Sequence, residues 1–219
     1  MIEIKDLLTT YDGKKNISFP DWKLEQGQHS LMLGPSGSGK TTLLHILAGM
    51  LKPTRGNVLI ANENILDLSG AAMDKFRGKN IGLIFQKPHL IESLSIKDNL
   101  LMAQYFAGLP KDADRVKEIL AELNIPDKIN DKPHQLSQGE AQRVAIARAL
   151  INKPKVILAD EPTSALDDEN CKAVYTLLDN QANKNKATMV ISTHDQRLKD
   201  LITNHLILKK ETVLVKIKK

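Results

Sequence analysis

The stretch LMLGPSGSGKTTLLHILAG, residues 31–49, sets four glycines and one lysine between two apolar runs. Glycine in a core segment costs backbone entropy, so its accumulation marks a place where the chain turns sharply or lets something approach closely. Gly34, Gly39, Lys40 and Thr41 fit G-x-x-x-x-G-K-[ST], the pattern of a loop that turns its N–H groups inward between a strand and a helix. Both neighbours are present: QHSLML from Gln28 reads as a strand, and TTLLHILAGM reads as a helix that is apolar on nearly all sides. The expected ligand is a phosphate. The helix N-terminus brings partial positive charge, Lys40 a full one, and the Thr41 hydroxyl can ligate a magnesium ion held between phosphates.

The chain has 219 residues, 42% of them hydrophobic and 26% charged, which suits a folded soluble protein and not a disordered one. Its longest nearly apolar run, Leu43 to Leu51, is interrupted by His45 and Gly49 and falls far short of the roughly 20 residues that a membrane span needs. Met1 leads straight into the alternating IEIKDLL, so no secretory signal is expected. A single cysteine, Cys171, excludes an internal disulfide and a cysteine-rich zinc site, suits a reducing cytoplasm, and is expected to pack in a helix. The formal charge of +5 comes mostly from scattered lysines and reads mainly as solubility. Aromatics make up only 4%, too few for the stacking platform of a single-strand binder, so nucleic acid is not an expected partner.

Apolar runs bounded by turn residues recur: IEIKDLL, QHSLML, NVLIA, NIGLIF, KVILAD, ATMVIST, HLILKK and TVLVKI. Alternating with helical segments, they predict an α/β protein with a mostly parallel central sheet and a separate antiparallel edge made by the early strands. Between NIGLIF and KVILAD the pattern turns helical, with Val116, Ile119, Leu120 and Leu123 at i, i+3, i+4 and i+7. Residues 87–154 are therefore expected to form a helical lobe, inserted into a core made of 1–86 and 155–219.

Two further segments carry chemistry. KVILADEPTSALD reads as a buried strand that ends in Asp160 and Glu161. Adjacent acids repel, so a cation or substrate is the expected reason for them, at the end of a strand where open α/β sheets bind ligands. Asp160 is suited to hold magnesium, and Glu161 to orient and polarise the water that attacks a γ-phosphate. In HQLSQGEAQRVAIARAL, Ser137 followed by Glu140 is a capping-box pattern, and Val144, Ala147 and Ile151 lie along one helical face. Gly139 stands in the first turn, where it costs stability, beside a serine hydroxyl and free N–H groups that make a second anion site. One chain thus carries two phosphate-shaped sites.

Gly34 to Thr41, Gln86 after a strand, LSQGE, VILADE, SALD and His194 in STHD occur in the order and approximate spacing of an ABC-type ATPase, and the resemblance covers essentially the whole chain. It implies a P-loop NTPase fold with a RecA-like core, binding ATP and Mg2+. It also implies a head-to-tail homodimer in which Ser137 and Gly139 of one copy close on the γ-phosphate held by the other, so that the two sites become one. Carried over, the nucleotide contacts are Tyr11 on the adenine, the loop residues Gly34, Ser36, Gly37, Ser38, Gly39, Lys40, Thr41 and Thr42, and the signature residues Ser137, Gly139 and Glu140. Magnesium falls to Thr41, Gln86 and Asp160. Catalysis falls to Lys40, Gln86, Glu161 and the switch residue His194. Ala165, Leu166 and Asp167 are expected to cross the dimer interface.

Within that family, RGKNIGLIFQ from Arg77 and QRVAIARALINKPKVILADEPTSALD from Gln142 are most similar to ATPases of lipoprotein-releasing, macrolide-exporting and cell-division systems. Those act with a separate permease, on the cytoplasmic face of the membrane. Leu90, Ile91, Leu94 and Ile96, next to Gln86, are too apolar for a solvated loop, and part of Leu90 to Ile96 is expected to receive a short permease helix. The competing expectation is a soluble ABC ATPase of cofactor assembly, or one acting on nucleic acid or the ribosome.

Overall fold

The computed structural model describes residues 1–11, 15–163, 168–210 and 213–214. Its strands are β1 (Ile2–Tyr11), β2 (Lys15–Ser18), β3 (Trp22–Leu24), β4 (His29–Leu33), β5 (Arg55–Ile60), β6 (Glu63–Asn64), β7 (Ile81–Ile84), β8 (Val156–Asp160), β9 (Thr188–Ser192), β10 (His205–Ile207) and β11 (Val213–Leu214). Its helices are α1 (Lys40–Leu47), α2 (Gly70–Asn80), α3 (Ile96–Phe106), α4 (Ala113–Glu122), α5 (Gln138–Leu150) and α6 (Asp168–Asn185).

The strands form two sheets. One is wholly parallel in the order β10-β4-β9-β8-β7. The other is antiparallel in the order β11-β2-β1-β5-β6, with β3 also paired to β1. This separation agrees with the patterns: β4, β9, β8 and β7 are short apolar runs largely buried on both faces, the edge strand β10 exposes His205 and Ile207, and IEIKDLL alternates and has one solvated face.

Successive side chains of a strand point to opposite faces, and the parallel sheet accordingly feeds two cores. Met32, Leu158 and Val190 pack with α1 and with Ile2, Ile4, Val58 and Ile60 of the antiparallel sheet. Leu31, Ile157, Met189 and Ile191 pack on the other side with apolar residues of α3, α4, α5 and α6. Helix α1 buries Leu43, Leu44, Ile46 and Leu47, as an all-round apolar helix must. In α4, Val116, Ile119 and Leu120 are fully buried along the expected stripe. Cys171 is buried at the start of α6.

Candidate functional site

The phosphate loop, Gln86, the paired acids and His194 all stand at the C-terminal ends of parallel strands, the position where such sheets bind ligands, whereas Ser137, Gly139 and Glu140 stand at the start of α5. The glycine loop follows β4, Gln86 follows β7, Asp160 ends β8 with Glu161 next to it, and His194 follows β9. Since β4, β9, β8 and β7 are neighbours in that order, these residues meet in one place. They line a cavity of about 500 Å³ together with Ser36, Gly37, Gly39, Lys40, Thr41 and Thr42.

The glycines of the loop do different things. Gly39, with φ 95°, sits in the left-handed region at the N-cap of α1, and no side chain caps that helix. Its first N–H groups therefore remain available to an anion. Gly34 is held by space: a Cβ there would meet the Leu208 carbonyl oxygen at 2.5 Å, where the chain leaving β10 packs against the loop. Gly34 and Ser38 do not line the cavity, and the buried Ser38 side chain turns away from it. These two members of the expected nucleotide loop support its shape.

Lys40 Nζ donates to the Gly34 carbonyl at 2.8 Å and the Pro35 carbonyl at 3.3 Å, and lies 3.0 Å from His194 Nε2. Burial lowers the lysine's pKa, against the opposing pull of the Glu161 and Asp160 charges. An entering phosphate gives this desolvated ammonium an anionic partner in place of carbonyls. Thr41 Oγ1 donates to Asp160 Oδ2 at 3.0 Å, placing a hydroxyl and a carboxylate side by side. Glu161 adopts φ 48°, unusual for a residue with a side chain, and is held there from several sides. Its N–H donates to the Ser192 carbonyl at 2.8 Å. Its Oε2 accepts from Thr193 Oγ1 and from the His194 N–H, each at 3.3 Å. His194 Nε2 lies 3.6 Å from Glu161 Oε1, and more than half of the imidazole is exposed.

The second anion site stands apart from this cavity. Ser137 and Glu140 form the expected capping box: Ser137 Oγ accepts from the Glu140 N–H at 3.3 Å, and Glu140 Oε2 accepts from the Ser137 N–H at 2.8 Å. Glu140 is thereby committed to the cap, and its other oxygen lies 3.3 Å from Lys128. Ser137 and Gly139 are exposed, and a Cβ added at Gly139 would meet nothing within 4 Å. Among the described residues no group of the same chain explains that glycine. Tyr11 ends β1, but its side chain, like residues 165–167, lies outside the described residues.

The apolar segment after Gln86 is divided. Ile96 is fully buried at the start of α3 and Leu90 packs against the core, so these two are structural, whereas Ile91 is 44% exposed. Beside them a groove of about 530 Å³ is lined by Arg77, Phe85, His89, Phe106 and Arg148. Arg148 of α5 donates to the His89 carbonyl at 2.5 Å and the Pro88 carbonyl at 2.8 Å, tying the segment after Gln86 to the helix that Ser137 caps. Arg148, Thr193 and Asp195 escaped the sequence reading; adjacency of the last two to His194 was the only available signal.

A loop with lysine and hydroxyl, paired acids and a histidine gathered at parallel strand ends defines a phosphate-loop nucleoside triphosphatase. Comparison with known proteins narrows this. The family model described as ABC transporter matches residues 17–164, and the chain belongs to that family. It is 37% identical over 204 residues to the lipoprotein-releasing system ATP-binding protein LolD of Syntrophotalea carbinolica, covering 90% of each chain. It is 40% identical over 196 residues to the LolD of Buchnera aphidicola, covering 89% of this chain and 85% of that one. Among solved structures it is similar to the ATP-binding cassette MJ0796, a dimer in a post-hydrolysis state bound to ADP and Pi, with a TM-score of 0.86, 33% identity and 99% of both chains covered. Among the described residues no helix is long and apolar enough to cross a membrane.

Proposed function

We propose that the chain is the ATP-hydrolysing subunit of an ABC transporter complex, acting as a head-to-tail pair of identical copies that drives a separate membrane permease. The observation that carries this reading is the separation of the two anion-seeking elements. The cavity holds a lysine, acids and a histidine, while Ser137 and the open face at Gly139 stand outside its lining. A second copy turned head to tail brings the missing element to each cavity. The relatives' names concern lipoprotein release; the cargo itself is selected in the permease.

In the proposed site Lys40 and the N–H groups at the start of α1 bind the phosphates. Glu161 accepts from the attacking water and draws its proton as the water oxygen bonds to the γ-phosphorus and the β–γ bridging P–O bond breaks to release ADP, and His194 steadies the γ-phosphate. The oxygen donors Thr41 Oγ1 and Asp160 Oδ2, 3.0 Å apart, fit a magnesium ion, with Gln86 on the same cavity wall. When bound, that ion neutralises charge on the β- and γ-phosphates. Residues 1–86 and 155–219 act as the nucleotide core and 87–154 as the lobe that meets the permease. Ile91 and the neighbouring groove form the docking surface, at the inner face of the cell membrane.

The test mixes Lys40→Ala subunits with Ser137→Arg subunits. Heterodimers carry both defects in one composite site and none in the other, so ATPase activity is expected to reappear above that of either mutant alone. Proven mixed dimers without such recovery would argue against the shared site.

A further inference from the structure

Asp195 follows His194 and faces away from the nucleotide cavity, whose lining does not include it. Its carboxylate accepts five described hydrogen bonds. Oδ2 accepts from Thr163 Oγ1 at 3.1 Å, from Cys171 Sγ at 3.4 Å and from Arg197 Nη2 at 2.7 Å. Oδ1 accepts from Arg197 Nε at 2.8 Å and from the Arg197 N–H at 3.0 Å. The Asp195 main-chain N–H donates to Thr193 Oγ1 at 2.9 Å, and that hydroxyl in turn donates a hydrogen bond to Glu161 Oε2 at 3.3 Å. The surroundings are dry: Thr163, Thr193 and Cys171 are each 1% exposed or less. The Arg197 guanidinium holds the carboxyl far below the ordinary carboxylate range, so it stays ionised.

One charge thus joins the exits of β8 and β9 to the first turns of α6. Two of its donors, Thr163 and Cys171, stand on either side of residues 164–167, while the main-chain N–H of Asp195, not its carboxylate, leads through Thr193 to the strained Glu161. We propose that Asp195 is a positioning residue for ATP hydrolysis: its carboxylate clamps Thr163, two residues beyond Glu161, and Cys171 of α6, and the clamp thereby sets the Asp195 main-chain N–H that orients Thr193 against the Glu161 carboxylate. It rests on the nucleotide-hydrolysing role proposed above. The glycine loop, Lys40 and Asp160 make none of these bonds, so ATP binding and turnover respond differently when the clamp is cut.

Asp195→Asn keeps the shape and replaces one acceptor oxygen with an NH2 group, which cannot accept from Thr163, Cys171 or Arg197. The measurement is steady-state ATPase activity of the purified chain against ATP concentration, with ATP affinity measured by direct binding. Expected is a fall in kcat of about tenfold or more with KM and ATP affinity within about twofold of wild type, the pattern of an interaction made only in the transition state. Asp195→Glu, which keeps the charge and both oxygens, is expected to recover part of kcat. Thr163→Val removes one donor while keeping side-chain shape, and it decides the matter if Asp195→Asn fails to fold. Unchanged kcat in the folded variants overturns the proposal, and so does a parallel loss of kcat and ATP affinity. A wild-type chain that binds ATP without turning it over overturns the functional reading itself, whereas an active wild type matched by its clamp variants overturns only the clamp.

Discussion

Gly139→Ala separates what one copy of the chain needs from what a pair needs. Gly139 is the second residue of α5, its φ lies outside the left-handed region, and an added Cβ has nothing within 4 Å. Within a single copy the substitution is therefore free of clash and exchanges the poorest ordinary helix former for the best. The expected gain is about 0.5–1 kcal/mol, reduced if anything by the first-turn position. For a chain of this length that raises Tm by roughly 1–4 °C. In a head-to-tail pair the same methyl projects about 1.5 Å from the backbone, the length of a carbon–carbon bond, toward the partner's γ-phosphate. A displacement of about 1 Å at a reacting group costs on the order of a hundredfold in rate. The assay is thermal unfolding without nucleotide beside steady-state ATPase activity of the same preparation. Expected is Tm unchanged or raised with kcat lowered between about tenfold and a hundredfold. Full activity in the stabilised variant would refute the reasoning, because the open face at Gly139 would then face no second molecule.

Glu161→Gln removes the charge that polarises water and leaves Lys40, Thr41 and Asp160 untouched. It is expected to bind ATP, to turn it over at least about a hundredfold more slowly, and to remain paired in gel filtration with ATP; near-normal hydrolysis would remove Glu161 from its role. Ile91→Glu places a charge on an exposed apolar residue beside the groove, and is expected to abolish co-purification with the membrane partner while ATP binding persists. Leu90→Glu, at a residue packed against the core, is expected to lower Tm; equal recovery of the partner with Ile91→Glu would move the docking surface elsewhere.

The phosphate loop was legible because its chemistry is contiguous: strand, glycines, lysine and helix occupy one short stretch whose spacing admits few alternatives. The capping box at Ser137 and Glu140 was legible for the same reason, its two bonds being local. Helix α2 was not, since only Met73 and Phe76 of its residues are buried and no apolar stripe results. The segment from Leu90 to Ile96 defeated pattern reading because irregular backbone has no period, so equal hydrophobicity leaves Ile96 buried and Ile91 in solvent. Ser38 satisfies the loop's motif yet points away, because a motif constrains backbone path more tightly than side-chain direction. Asp195 gathers partners from positions 163, 171 and 197, a convergence that only the folded chain creates.

Helix α1 begins at a glycine with no side chain to close its first turn. Most helices carry that closure in their own sequence, where a serine or aspartate is worth about 1 kcal/mol. In the proposed function the phosphate of the nucleotide takes the place of that cap. A ligand that binds only the folded chain adds RT ln(1 + [L]/Kd), about 2.7 kcal/mol when it is present at a hundredfold excess over Kd. Thermal unfolding of the chain is therefore expected to shift to higher temperature as nucleotide is added.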